Sequence, residues 1–207
     1  MAKVVDILRK IGAVITDDHF VYTSGKHGSV YINKDALYPH TAETSEVCLL
    51  MAEMFKDKEM EAVVGPALGG IILSQWVAHH LSQMKGKEVF GVYTEKDETD
   101  NQVLRRGYDQ VIKGKKVLVV EDLATTGGSV KKVVDTVRQA GGEVVAVCVM
   151  VNRDPVNINE STVGAPFVAA DILEARAFDE AECPFCKVNR PINIKIGHGK
   201  AYLEAKK

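Results

Sequence analysis

Apolar positions over the first eleven residues recur at helical spacing and are broken by charges, as in Val4-Val5-Asp6-Ile7-Leu8-Arg9-Lys10-Ile11, which predicts an amphipathic helix. Two short apolar runs, Phe20-Val21-Tyr22 and Val30-Tyr31-Ile32, flank the turn-rich TSGKHGS of residues 23–29 and predict a hairpin-like cap. Thr41, Glu43 and Thr44 open a helical stretch to about Lys56, followed by a short strand over Glu61–Val64. Gly65-Pro66-Ala67-Leu68-Gly69-Gly70 then passes at once into a helix to Gln83. The strand Glu88–Tyr93 leads into Thr94–Asn101, whose charges and lack of period predict a loop free to move at a strand's carboxyl end. Lys115–Val120 and Glu143–Val151 are continuous apolar runs of the kind found in strands buried on both faces, and the helix between them stops at Gly141-Gly142. Alternating strands and helices predict an α/β fold: an open parallel sheet flanked by helices, with ligands beyond the carboxyl ends of its strands. The organisation this implies is an N-terminal hood over 1–40, an α/β core over 41–175 and a tail over 176–207.

The chain of 207 residues, 46% of them hydrophobic, suffices for one such domain with a sizeable core. Lys and Arg number 26 against 28 Asp and Glu, a formal charge of -2, so no overall positive field points to nucleic acid or an anionic membrane. A phosphorylated ligand must then be held by local features. The N-terminus has neither a signal-like apolar block nor a membrane-length run, and the expected location is the cytoplasm. Four cysteines make no disulfide framework: Cys48 and Cys148 lie in apolar stretches, and Cys183 and Cys186 form a CPFC near the end.

The densest chemistry lies in VLVVEDLATTGGS, residues 117–129. Glu121 and Asp122 stand where the buried strand ends, and a Thr125-Thr126-Gly127-Gly128-Ser129 turn opens the next helix. Paired carboxylates accept hydrogen bonds from adjacent sugar hydroxyls, while the turn presents backbone N–H groups and three hydroxyls to a phosphate. Glycines let the backbone approach closely, and the helix dipole favours the dianion. Diol and phosphate together describe a ribose phosphate. Taken alone, TTGGS also reads as a turn whose hydroxyls merely cap a helix. No lysine lies within the turn, which argues against a Walker-type loop, and no G-x-G-x-x-G follows a strand.

This stretch resembles the 5-phosphoribosyl 1-diphosphate motif of type I phosphoribosyltransferases, and the likeness extends over most of the chain. It implies that Glu121 and Asp122 hold the ribose hydroxyls at the catalytic centre. Thr125, Thr126, Gly127, Gly128 and Ser129 would hold the 5-phosphate, with Leu123 and Ala124 also in contact with the sugar diphosphate. The Gly65–Gly70 segment is similar to the family's diphosphate loop, with Leu68 and Gly69 at the leaving group, although alone it is also a simple strand-to-helix turn. Within the superfamily the orotate phosphoribosyltransferases match best: HFVYTSGKHGSVYINK, residues 19–34, resembles their opening segment and sets Lys26, Tyr31 and Ile32 against the base. Arg153, after the strand that follows the phosphate loop, matches an arginine that binds the orotate ring, with Thr125 nearby. A guanidinium fork suits a carboxylate or carbonyl edge, and a surface ion pair is the alternative for Arg153.

The sequence departs from the family at three places. Leu68 and Gly69 stand where many members have a lysine, Thr23 replaces a lysine before the Ser-Gly turn, and the segment 94–107 lacks the usual histidine. That segment keeps Lys96, Arg105 and Arg106, of which Lys96 is the candidate catalytic cation; the set would close over the diphosphate, or would simply be solvated charge. The resemblance further implies Mg2+ carried mainly by substrate oxygens, 5-phosphoribosyl 1-diphosphate and orotate as ligands, and a homodimer. A purine or another pyrimidine as the base is the nearest alternative, and a regulator that senses the sugar diphosphate and binds nucleic acid is another. Cys183 and Cys186, with His198 beyond, supply half of a zinc site without an evident full ligand set; a packed or subunit-contacting tail is the other reading.

Overall fold

The computed structural model describes residues 3–206. Helix α1 (Val4–Lys10) buries Val4, Val5, Ile7 and Leu8, the face its periodicity implied. Four two-residue strands follow: β1 (Val14–Ile15), β2 (Phe20–Val21), β3 (His27–Gly28) and β4 (Tyr31–Ile32). After α2 (Thr41–Glu53) come β5 (Ala62–Pro66), α3 (Gly69–Lys85), β6 (Phe90–Lys96), β7 (Gln102–Val103) and α4 (Tyr108–Ile112). The remainder is β8 (Lys116–Ala124), α5 (Gly128–Gln139), β9 (Glu143–Asn152), α6 (Glu160–Val163), β10 (Phe167–Ile172), α7 (Pro184–Lys187) and α8 (Gly199–Glu204).

Among the described residues the central sheet has six strands in the order β10-β9-β8-β5-β6-β7, parallel except for β7 at the edge. It is the open parallel sheet the alternation predicted. Its strands are buried on both faces because successive side chains point opposite ways. On β8, Leu118 and Val120 enter one core with α1, α2 and α3, whereas Val117 and Val119 enter a second core with α5. Helix α5 contributes Val130, Val133, Val134 and Val137, one stripe at i, i+3, i+4 and i+7. Cys48 and Cys148 are buried in the first core, where loss of solvation pushes the Cys48 thiol up to about 12. Among the described residues no helix is long and apolar enough to cross a membrane.

Two local expectations are corrected. Phe20–Tyr22 and Val30–Ile32 do not pair with each other: β2 pairs with β3, and β4 pairs with β1. The reason lies in the turn, where Gly25 adopts a positive φ of 77° and Tyr22 N–H donates to Lys26 O at 2.9 Å. The chain therefore reverses by His27, leaving the later strand to find another partner. The second correction concerns Thr94–Asn101, which is a hairpin tip and not an irregular loop. Strand β6 runs on to Lys96, pairs antiparallel with β7, and the Asp97 side chain closes the turn by accepting from the backbone N–H groups of Thr99 and Asn101.

Candidate active site

The carboxyl ends of β5, β8 and β9 open at one end of the sheet, where residues between Tyr22 and Tyr38 of the N-terminal segment meet them, while α1 packs into the first core. The pleat of β8 sends its two terminal carboxylates to opposite sides. Glu121 turns toward α5, where its Oε2 accepts from Ser129 Oγ at 3.2 Å. Asp122 turns toward the hood and the start of α3: its Oδ2 accepts from Tyr38 Oη at 2.9 Å and pairs with Lys34 Nζ at 2.9 Å.

Both carboxylates are buried, at 7% and 5% exposure. Burial, and then the Asp122 charge beside it, push Glu121 up to about 8. Burial opposes the charge on Lys34, but the attraction of Asp122 outweighs it and holds the ammonium above its ordinary value. Tyr38 is driven upward by burial first and by Asp122 second, so it remains a donor.

Backbone close to this pair has no room for side chains. A Cβ on Gly69 would collide with Asp122 Oδ2 and Tyr38 Oη, and one on Gly65 or Gly70 would enter the other glycine's backbone. Leu68 lies at the tip of this turn, 82% exposed, after a cis Ala67–Leu68 peptide. Thr125, Thr126, Gly128 and Ser129 are exposed, and Gly127 takes a φ of 75° to start α5. The first-turn amides of this 12-residue helix have no side-chain cap, so they are free to meet an anion.

A cavity of about 840 Å³ opens beside these parts, lined by Leu123, Thr125 and Thr126 on one side and by Tyr22, Tyr31 and Lys34 on another, while Glu121, Asp122 and Gly69 are not in its lining and Gly128 and Ser129 face a separate, smaller pocket. Ile32 lines it too while packing into the first core, and Lys26 stands at its rim, paired with Asp179 at 3.3 Å. Arg153 faces the same cavity with its guanidinium 4.5 Å from the Tyr22 ring centroid, and its buried Nε has no hydrogen-bond partner. The Tyr22 hydroxyl donates to Val30 O at 2.7 Å, which fixes the ring against which Arg153 lies. A cation held by an aromatic face and facing a cavity is placed to receive a carboxylate.

The three cations of the 94–106 segment are not brought together. Lys96 lines a smaller pocket of about 230 Å³ with Gly128, Ser129 and Lys132, and pairs with Asp100 at 2.7 Å. Arg105 and Arg106 instead pair with Glu95, at 3.6 and 2.8 Å, and line neither space. Sequence reasoning missed Lys34 and Tyr38. Both lie far along the chain from Asp122, and no spacing rule links them to it; the one available signal was that Lys34 ends the resemblance segment. His198 is also not where a zinc reading would want it, because its Nε2 bonds Thr23 Oγ1 at 3.0 Å.

Comparisons with known proteins agree with this geometry. The phosphoribosyl transferase domain family matches residues 33–160. An orotate phosphoribosyltransferase of Caldanaerobacter subterraneus subsp. tengcongensis is 37% identical over 198 residues, covering 96% of this chain and 97% of that one. The orotate phosphoribosyltransferase of Thermotoga maritima is 38% identical over 188 residues, 90% of this chain and 93% of its own. The crystal structure of orotate phosphoribosyltransferase from Aeropyrum pernix superposes with a TM-score of 0.63 at 28% identity, covering 82% of this chain and 93% of that one. A buried acidic pair before a phosphate-ready helix start, and likeness at this level over nearly the whole length, lead to one conclusion: the chain belongs to the orotate phosphoribosyltransferases of the phosphoribosyl transferase domain family.

Proposed function

We propose that this chain transfers the 5-phosphoribosyl group of 5-phosphoribosyl 1-diphosphate to N1 of orotate. The new N1–C1 bond forms as the C1–O bond breaks with its electron pair, and the products are orotidine 5'-monophosphate, diphosphate and a proton. The observation that carries this reading is the sharing of one cavity by Thr125 and Thr126, which open the turn after Glu121-Asp122, and by Arg153 on Tyr22. The turn and α5 would take the 5-phosphate, Glu121 and Asp122 the ribose hydroxyls, and Arg153 the orotate carboxylate. Tyr31, Ile32 and Lys26 would cover the ring, and the backbone of Leu68-Gly69 would face the leaving diphosphate.

Charge separates as the bond breaks, so these residues accelerate the step by preorganised electrostatics in a site from which the hood excludes water. No protein nucleophile is required. The donor set fits Mg2+ carried on the substrate: both carboxylates already have protein partners, and a hard cation takes its remaining oxygens from diphosphate, ribose and water. Glu121 and Asp122 would hold it through the ribose, and when bound it neutralises the departing diphosphate.

Arg105 and Arg106 would serve the site of a second copy in a homodimer, because Glu95 holds them outside the cavity of their own chain. The reaction is one expected in the cytoplasm. Purified protein is to be assayed by ultraviolet absorbance with Mg2+, 5-phosphoribosyl 1-diphosphate and, separately, orotate, uracil, adenine, hypoxanthine, guanine and xanthine. Consumption of orotate alone is expected; turnover of a purine alone would overturn the assignment of the base while leaving the phosphate machinery in place.

A further inference from the structure

Away from that cavity, His19, His27, Cys183 and Cys186 converge so that one ligand atom from each lies within 4.8 Å of the others. Three of the four are fully buried, at 1% exposure or less, and Cys186 is half-buried. None belongs to the machinery assigned above. The geometry points to a structural zinc site of Cys2His2 type that clips the C-terminal tail to the base-covering hairpin.

Local structure makes each half of the site. Strands β2 and β3 pair Val21 with His27, and carrying that register on by two residues puts His19 diagonal to His27 on the same face. Cys183 precedes α7 and Cys186 lies within it, so a single helical turn brings the two sulfurs to one side. The main chain joins the halves: His27 and Phe178 exchange both backbone hydrogen bonds at 2.8 Å, and Asn193 N–H donates to His19 O at 2.8 Å.

The three sulfur–nitrogen spacings are close to those of a tetrahedron. With Zn–S near 2.3 Å and Zn–N near 2.05 Å, sulfur and nitrogen ligands lie about 3.5 Å apart. Here Cys183 Sγ and Cys186 Sγ are 3.6 and 3.7 Å from His19 Nε2, and Cys186 Sγ is 3.3 Å from His27 Nδ1. The His19 Nε2 to His27 Nδ1 distance of 2.8 Å would have to open by about half an ångström to admit the ion.

Of the two outer ring nitrogens, that of His19 is fixed by a backbone partner, whereas the buried His27 Nε2 has none. His19 Nδ1 lies 2.8 Å from Arg190 O. A carbonyl only accepts, so Nδ1 is the donor, which leaves Nε2 as the ring nitrogen that faces the other three ligands. Four protein ligands, three of them buried, leave no open position, which marks a structural centre, not a catalytic one. Tyr22, Thr23 and Lys26, from the hairpin that carries His27, line the large cavity. On the reading of that cavity as the base site, the metal holds one of its walls.

The test begins with metal content. The full chain, purified with reducing agent and equilibrated with zinc, is passed through a desalting column and assayed by mass spectrometry of the elements. About one equivalent per chain is expected, and cobalt exchanged for it should show the visible bands of a tetrahedral S2N2 centre with thiolate charge transfer. Cys183→Ser and His27→Ala should each lose most of the metal, and the tail of chelator-treated wild-type protein should be cut faster by protease until zinc is restored. Wild-type protein that holds less than about a tenth of an equivalent, or a Cys183→Ser variant that keeps a full equivalent, would overturn the assignment. So would a Cys183–Cys186 disulfide in place of bound metal. These readouts need no substrate, so they stand or fall apart from the orotate assay.

Discussion

The carboxyl end of β8 and the junction of hood with tail are both clusters of buried polar groups, yet they are assembled in opposite ways. At β8 the candidate groups come from nine consecutive residues, Glu121 to Ser129, and the strand-to-helix turn alone fixes most of their geometry. At the junction, His19 and Cys183 are separated by 164 positions and meet only because a two-residue ladder and a one-turn helix are docked together. A site of the first kind survives modest changes elsewhere in the fold. One of the second kind depends on long-range docking, and here the ligand itself would secure it.

The largest expected effect tests the local cluster. Asp122→Asn keeps the shape but removes the charge that holds Lys34 and Tyr38, and kcat should fall by on the order of a hundredfold. Near-normal turnover in the absorbance assay would remove Asp122 from its role. Metal content of this variant should stay as in the wild type, since Asp122 has no contact with the histidine–cysteine cluster.

Next in size is a pH effect on stability. The folded state raises Glu121 from 4.5 to about 8, so the folded protein binds more protons than the unfolded chain between those values. Stability contributed by the protonated form is fully present below about 4.5 and is lost as pH rises through about 8. Glu121→Gln should remove most of that decline between pH 5 and 8.5 in denaturant titrations. A decline of unchanged size in the variant would locate its cause in another group.

Arg153→Ala should raise KM for orotate by about tenfold, the loss of one charge-assisted contact, with KM for 5-phosphoribosyl 1-diphosphate changing little. Cys183→Ser sharpens the comparison: it should raise the same KM by a few-fold through the loosened hairpin and leave kcat close to wild type. Equal effects on both substrates would show that the junction supports the whole fold and not one wall. Smallest is the loss of the half-exposed Arg106–Glu95 pair, since Arg106→Ala should move stability by less than about 0.5 kcal/mol. A kcat that falls despite unchanged stability would support delivery of this arginine to a second site.

Much of the fold was legible because its signals are local. Continuous apolar strands, the i, i+3, i+4, i+7 stripe of α5 and glycines at both strand-to-helix turns each state their own structure within a dozen residues. Two-residue strands are another matter. Phe20–Val21 and Tyr31–Ile32 carry strand residues but too few to specify partners, and a single glycine turn decided which ladders formed. The polar 94–101 segment likewise reads as a loop, because the pairing that orders it comes from β7 and from Lys132, whose ammonium donates to Asp100 O at 2.7 Å.

By itself the sequence determined the parallel sheet, the acidic strand end and the phosphate-ready helix start, since hydrophobic period and turn chemistry act between near neighbours. Only the tertiary structure decided that Lys34 and Tyr38 hold Asp122, that Arg153 lies on Tyr22, and that two histidines stand beside the cysteines of the CPFC. Such contacts join residues tens to more than a hundred positions apart. They exist because packed cores hold distant segments within ångströms of each other, and a one-dimensional pattern has no term for that.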